Sequence, residues 1–316
     1  MKPSAPLAIA ILGWALLPTV ARGAASDTVD YGTNAAIAWN AGYTGDGQTV
    51  AVIDSGTDAR HAWFHGQVAS EACFTGPAQG AWRPTCPGLG TTADDVLQPG
   101  PMFGPGAAAP PRWGWNITAS GWDAAKSYHG THVAGVVAGS PSWLLGFRIG
   151  RRGIAPDANV MAINAFSVNA DGEGGGGRAK DVAAALRWVN SQRTTHRIAA
   201  VNLSWSNGES AGNEDRLCRD AKALAASGHS ETRDAINELG ANGIPVVAAS
   251  GNEGGTRVGF PACLPNVIAV GAVNTDTGDV SASTPSSKQI AVLAPGTSIV
   301  GPRFDGTIES ANGSSY

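Results

Sequence analysis

The sequence predicts an α/β protein built around a mostly parallel β-sheet. Three observations carry this reading. Short apolar runs recur at residues 49–53, 160–166, 199–204, 246–249, 266–273 and 289–294. Unbroken runs of that kind fit strands buried on both faces. Helix-patterned segments lie between several of them, as βαβ units require. Gly and Pro number 43 and 19, while only 15% of the 316 residues are charged. That composition suits a compact chain with many tight turns and argues against disorder.

The elements follow in chain order. Residues 1–25 read as a secretory signal peptide: Lys2, an apolar run over 6–20, then small residues over 21–25. Residues 33–43 suit a short helix, and Gly45-Asp46-Gly47 a turn. The first strand, 49–53, ends at Asp54. Residues 70–127 read as a loop-rich insertion holding Cys73, Cys86 and a GPGAAAPP stretch. Trp63, Trp82, Trp113, Trp115 and Trp122 in or near it form a predicted satellite core. Residues 132–138 are small and apolar, the pattern of a buried helix. A strand over 160–166 leads to a glycine-rich turn and edge over 171–177. Residues 179–189 place Val182, Ala185, Leu186 and Val189 on one helical face. After the strand at 199–204, residues 219–226 and 232–239 read as helices. Strands at 246–249, 266–273 and 289–294 and a hairpin-like stretch complete the chain.

The four cysteines, Cys73, Cys86, Cys218 and Cys263, include no CxxC pair. In an exported chain an even number predicts two disulfides. Three pairings exist; a short loop favours Cys73 with Cys86, which leaves Cys218 with Cys263. The net charge of −4 gives no electrostatic footprint for nucleic acid. No later segment holds eighteen uninterrupted apolar residues, so no membrane partner is expected once the signal is cleaved.

Function in such sheets gathers at the carboxyl ends of strands. Asp54 directly follows a strand. His129 stands where a helix begins, with Gly130 allowing close turning beside it. Spacing for a zinc pair with His132 is absent, so no metal is expected there. Asn252, after the 246–249 strand, offers an amide that could donate to an oxyanion. A serine near the end would supply a nucleophile. Each residue has an ordinary structural reading alone; together they form an Asp, His, Asn and Ser set.

At this point the motifs resemble the subtilisin-like (subtilase) serine peptidases, from about residue 33 to 316 apart from the 70–127 insertion. VAVIDSG resembles the family's Asp motif. YHGTHVAGVVAG resembles its His motif, which gives the catalytic role to His129 and not His132. VNLSW resembles the substrate-binding strand, VVAASGNEG the oxyanion motif and FPACLPNVIAVGAV the next segment. The last implies a cis bond before Pro261. Two serines compete as nucleophile. Ser298, in GTSIVGP, follows the APG segment at once. Ser315, in NGSS, lies about twenty residues beyond it, as the family spacing implies, and takes the role. The family pattern continues past its serine with an MAxPHVAG helix. The chain stops at Tyr316, so the C-terminal part of the domain is expected to be missing.

The resemblance implies a three-layer subtilisin-like fold with a mostly parallel central sheet over residues 26–316. It implies a secreted or periplasmic, monomeric serine endopeptidase with Asp54, His129 and Ser315 as triad and Asn252 as oxyanion donor. Extended polypeptide would bind along Gly174, Gly175, Gly176, Ser204, Trp205 and Ser206. No cofactor is required. Calcium is common in the family, but Trp63 stands where an acidic ligand is usual, nine positions after the Asp, and other calcium sites stay open. The alternative reading is a catalytically inactive peptide-binding relative or a non-functional fragment.

Overall fold

The computed structural model describes residues 32–80, 82–87, 98–110, 129–140, 142–144, 147–149, 152–169, 175–207, 215–303 and 306–316. The predicted signal segment, Gly174, Trp113, Trp115 and Trp122 lie outside the described residues.

The chain enters through α1 (Ala35–Asn40) and reaches β1 (Thr49–Asp54), the middle of the main sheet. The other main-sheet strands are β2 (Val68–Cys73), β4 (Met102–Phe103), β7 (Asn159–Asn164), β10 (Ile198–Leu203), β11 (Val246–Ala249), β12 (Val267–Val273) and β13 (Val292–Pro295). The spatial order is β13-β12-β11-β10-β1-β7-β2-β4. Every neighbouring pair is parallel except β2 with β4.

Helices cover both faces. On one lie α3 (Ala179–Ser191) and α6 (Ser230–Ala241), tied by Thr232 Oγ1 donating to Ala179 O at 2.8 Å. Their apolar stripes join alternate strand residues: Ile53, Met161, Leu186, Leu203, Ile236 and Leu239 form one buried core. On the other face α2 (His129–Ala138) packs with Val52, Phe64 and Val160. The two-residue period of β1 therefore sends Ala51 and Ile53 one way and Val52 the other. Beside α2 a groove of about 310 Å3 runs over the sheet, lined by Val133, Val137, Val201, Val247, Val270 and Tyr316 among others.

Small sheets decorate the main one. The strands β3 (Trp82–Arg83), β8 (Phe166–Asn169) and β9 (Gly175–Gly177) form an antiparallel sheet with β9 on its edge. The strands β5 (Ser142–Leu144) and β6 (Phe147–Ile149) pair as a ribbon. The final hairpin joins β14 (Ile299–Pro302) and β15 (Ile308–Ala311).

Several expectations need correcting at their boundaries. The segment read as an insertion from residue 70 begins inside the sheet, because β2 pairs with β7 through Cys73 and β4 closes the edge. Polar Ser70 and Glu71 hid this strand. The 160–166 run divides: β7 ends at Asn164 and β8 starts at Phe166. The last main strand starts at Val292 rather than 289. The 219–226 helix is two helices, α4 (Arg216–Arg219) and α5 (Ala221–Ala226). Asp220 separates them in extended conformation, and its carboxylate accepts from Lys222 N and Ala223 N. An N-cap carboxylate satisfying first-turn donors restarts the helix there.

Both expected disulfides, Cys73 with Cys86 and Cys218 with Cys263, are formed. The bond between Phe260 and Pro261 is cis.

Candidate active site

Asp54 ends β1 with its side chain 1% exposed. His129 opens α2, and its Nδ1 lies 2.9 Å from both Asp54 carboxylate oxygens. A carboxylate can only accept, so Nδ1 carries the proton and Nε2 is left as the acceptor. The two elements are stitched together around this pair. Gly130 N–H donates to Ser55 Oγ at 3.1 Å, and Asp58 N–H to Thr131 Oγ1 at 3.0 Å. Burial opposes a charged His129 ring. The Asp54 charge and hydrogen bond outweigh it and hold the imidazole above the usual histidine pKa.

Gly130 is required by contact. A Cβ there would collide with the Gly56 carbonyl oxygen and stand 3.0 Å from Asp54 Cβ. Gly130→Ala is therefore expected to push α2 off the end of β1. Displacement on the ångström scale costs about a hundredfold in rate, and overpacking about 1–3 kcal/mol of stability. Thermal unfolding and the rate of labelling by a fluorophosphonate measure the two effects. An unchanged midpoint and labelling rate would disprove the contact argument.

The other candidates converge from β11 and the chain's end. Asn252 Oδ1 accepts the Ser314 N–H at 2.8 Å and the Ser314 hydroxyl at 3.1 Å. A backbone donor fixes which end of the amide is oxygen, so the Asn252 NH2 faces away from Ser314. The adjacent Ser315 is half-buried. Its carbonyl accepts from Ser204 Oγ at 2.6 Å, and its hydroxyl lies 3.4 Å from Ser204 O. Among the described residues, that hydroxyl is bonded to Ser204 and not to His129. The Tyr316 ring stands 5.1 Å from the His129 ring, which brings the residue after Ser315 against the imidazole. Ser298 sits elsewhere in its local structure, at the start of the final hairpin with φ 55° and its N–H on Asn312 Oδ1.

The family model described as the subtilase family matches residues 45–316. The chain belongs to the subtilase family. It is 28% identical over 278 residues to Subtilisin E of Bacillus subtilis (strain 168), covering 87% of this chain and 53% of that protein. It is 30% identical over 188 residues to Subtilisin Savinase of Lederbergia lenta, covering 59% of this chain and 57% of that one. The chain thus spans about half the length of these relatives. Among solved structures, S41 Psychrophilic Protease superposes with a TM-score of 0.59 at 24% identity, covering 92% of this chain and 81% of the other. Sphericase superposes with a TM-score of 0.56 at 22% identity, covering 86% and 73%. These two likenesses establish the fold.

In this subtilase the second histidine of the motif is structural. His132 is fully buried, and its Nε2 lies 3.1 Å from Ile299 O and 3.3 Å from Glu309 O. Both are carbonyls, so Nε2 carries the proton. Burial pushes its pKa down to about 4 and keeps the ring neutral. It pins the final hairpin, where Gly301 approaches the ring closely.

The residues predicted to bind extended peptide fall in two places. Gly175 and Gly176 lie on the edge strand β9. Ser204, Trp205 and Ser206 follow β10, and a Cβ on Gly176 would stand 3.6 Å from Trp205 Nε1. Trp205 is held by stacking on His229, at 5.9 Å and 14°. Trp63 is 1% exposed in the core. Among the described residues no three His, Cys, Asp or Glu side chains group to hold a metal ion.

Sequence reasoning missed Ser314, Ser55 and Tyr316. Ser314 orients Asn252, Ser55 ties α2 to β1, and Tyr316 packs on both histidines. Ser314 and Ser55 sit beside motif residues, but their hydrogen bonds span 62 and 75 positions, which no local pattern encodes.

Proposed function

We propose that this chain is a secreted serine endopeptidase acting through Asp54, His129 and Ser315. The observation that carries the reading is the buried Asp54 carboxylate on His129 Nδ1. A serine hydroxyl is a weak nucleophile near neutral pH and needs a base within reach. Neutral His129 offers Nε2 as that base, and Asp54 stabilises the imidazolium formed when the proton arrives. The Ser315 hydroxyl turns from Ser204 O towards His129 as it attacks the substrate carbonyl. The carbonyl oxygen becomes an oxyanion, met by the Asn252 NH2 and the Ser315 N–H. One such donor lowers the barrier by about 3 kcal/mol, a magnitude measured in a subtilisin. His129 then passes its proton to the leaving amine, which breaks the peptide bond and leaves an acyl-enzyme on Ser315. Water, activated by the same imidazole, releases the acid.

Substrate enters as an extended strand between Gly175, Gly176 and residues 204–206, where main-chain pairing gives broad sequence tolerance. Residues 1–25 direct export, which agrees with two disulfides, and residues 26–316 belong to one monomeric peptidase domain.

A fluorophosphonate tests the reading, because it bonds covalently only to an activated serine. Mass spectrometry of the digested full chain is expected to locate one adduct, on Ser315. An adduct on Ser298 moves the nucleophile. No adduct favours the inactive peptide-binding alternative.

A further inference from the structure

One buried acidic side chain near this site has no role in the mechanism above. Glu71, on β2, is 8% exposed. Burial raises its pKa above the ordinary carboxylate value; the Gly106 and Ala108 N–H groups oppose this in part, Asp58 adds to it and Arg60 opposes it. A carboxylate held out of water costs stability, so its presence calls for an explanation.

Its surroundings supply one. Glu71 grips a turn over residues 104–108 at both ends. Its carbonyl accepts the Gly104 N–H at 3.0 Å, and its Oε2 accepts the Ala108 N–H at 3.4 Å. Ala108 is fully buried and packs with Val52, Phe64 and Val133 under α2. Its carbonyl accepts the Thr57 N–H at 2.8 Å, and a Cβ on Gly56 would collide with that carbonyl. Gly56 and Thr57, just past Asp54 and Ser55, carry the start of α2 in turn. The Gly56 carbonyl lies against Gly130, and Thr57 Oγ1 donates to Gly130 O at 3.4 Å. A continuous line of backbone contacts thus runs from the Glu71 carboxylate to the residue beside His129.

The charged side chains acting on Glu71 are Asp58 and Arg60, which pair with each other at 3.6 Å on the segment after β1. Its neighbours from β4 and β7, Phe103 and Ala162, and the 104–108 turn carry no charge. An ionised carboxylate suits two converging N–H groups, because both its oxygens only accept. A protonated acid or an amide turns a donor of its own towards them.

We propose that Glu71 is a positioning residue for the triad: its ionised carboxylate holds the 104–108 turn, and through Thr57 and Gly56 that turn fixes the start of α2, and so His129, against Asp54. The inference rests on the peptidase reading. Loss of the Glu71 charge loosens the backing of residues 56–57 and lets the imidazole drift from its working geometry. Hydrolysis then needs two groups deprotonated, His129 and Glu71.

The test measures fluorophosphonate labelling of Ser315 against pH in the full chain, with a thermal midpoint at each pH to confirm folding. In the parent, the logarithm of the rate is expected to fall by about one decade per pH unit below the His129 pKa. It should steepen to about two decades per unit once Glu71 also takes up a proton. In Glu71→Gln the slope should stay near one throughout, and the high-pH plateau should drop at least about tenfold, as misplacement of a catalytic group requires. Stability should move the other way. A carboxyl whose folded pKa is raised stabilises the fold fully below its unfolded pKa, and that contribution is lost as pH rises through the folded one. Glutamine mimics the protonated acid, so its midpoint should match the parent's at acid pH and exceed it at neutral pH.

A slope that stays near one in the folded parent overturns the proposal. So does Glu71→Gln labelling at the parental rate. A rate loss accompanied by a lowered midpoint at neutral pH also overturns it, because a merely structural role gives that pattern. Should Glu71→Gln not fold, the parent's slope decides. Absence of labelling in the parent at every pH sinks the peptidase reading and this inference with it, whereas a one-proton slope sinks this inference alone.

Discussion

Ser315→Ala is expected to abolish fluorophosphonate labelling and to lower peptide hydrolysis by about a millionfold, the scale set by loss of the nucleophile in a subtilisin. The fold should survive, because the Ser315 hydroxyl makes one long contact, 3.4 Å to Ser204 O. A thermal midpoint within a few degrees of the parent would separate lost chemistry from lost structure. The matched control is Ser298→Gly. Ser298 has φ 55°, where glycine is free of strain and alanine is not. That variant should keep labelling and hydrolysis. The reverse pattern, with Ser298→Gly silent and Ser315→Ala labelled, would assign the nucleophile to the hairpin.

Asp54→Asn carries the second large effect, about ten-thousandfold in kcat, together with a change in pH dependence. In the parent, burial disfavours the His129 imidazolium, and Asp54 more than reverses this. The folded-state pKa therefore lies above the ordinary value of about 6.5. Protonation consumes the base, so kcat/KM should fall as pH drops through that raised value. An asparagine at 54 removes the negative charge and leaves burial unopposed. The acid limb should then move to lower pH while the plateau collapses. The plateau falls because an amide NH2 donating to Nδ1 forces the proton onto Nε2, where the lone pair is needed. An acid limb at the same pH in both proteins would sink the account. The pairing has a stability consequence of defined sign. It stabilises the fold fully below the unfolded pKa, and the contribution is lost as pH rises through the folded one.

Much of this was legible in the amino-acid sequence. Local composition makes β1, β10, β11 and β12 recognisable, because each is a short run dominated by apolar residues. Asp54 and Asn252 stand out because each sits at or just past the carboxyl end of such a strand. The short Cys73 to Cys86 loop favoured the disulfide that forms. What escaped were elements whose partners decide them. The strand β2 carries polar Ser70 and Glu71 and is a strand because β7 supplies its hydrogen bonds. The Asp220 cap looks like any helical residue until its carboxylate turns to Lys222 N and Ala223 N.

The sequence by itself determined the layered α/β class, the family and the identity of the candidate triad. These depend on residue types and spacings within short windows. Only the tertiary structure decided how the candidates are coupled. Asp54 and His129 are 75 positions apart, as are Ser55 and Gly130, and Asn252 and Ser314 are 62 apart. Hydrogen bonds and contacts over such separations follow from how strands order in the sheet, and no local pattern carries that order.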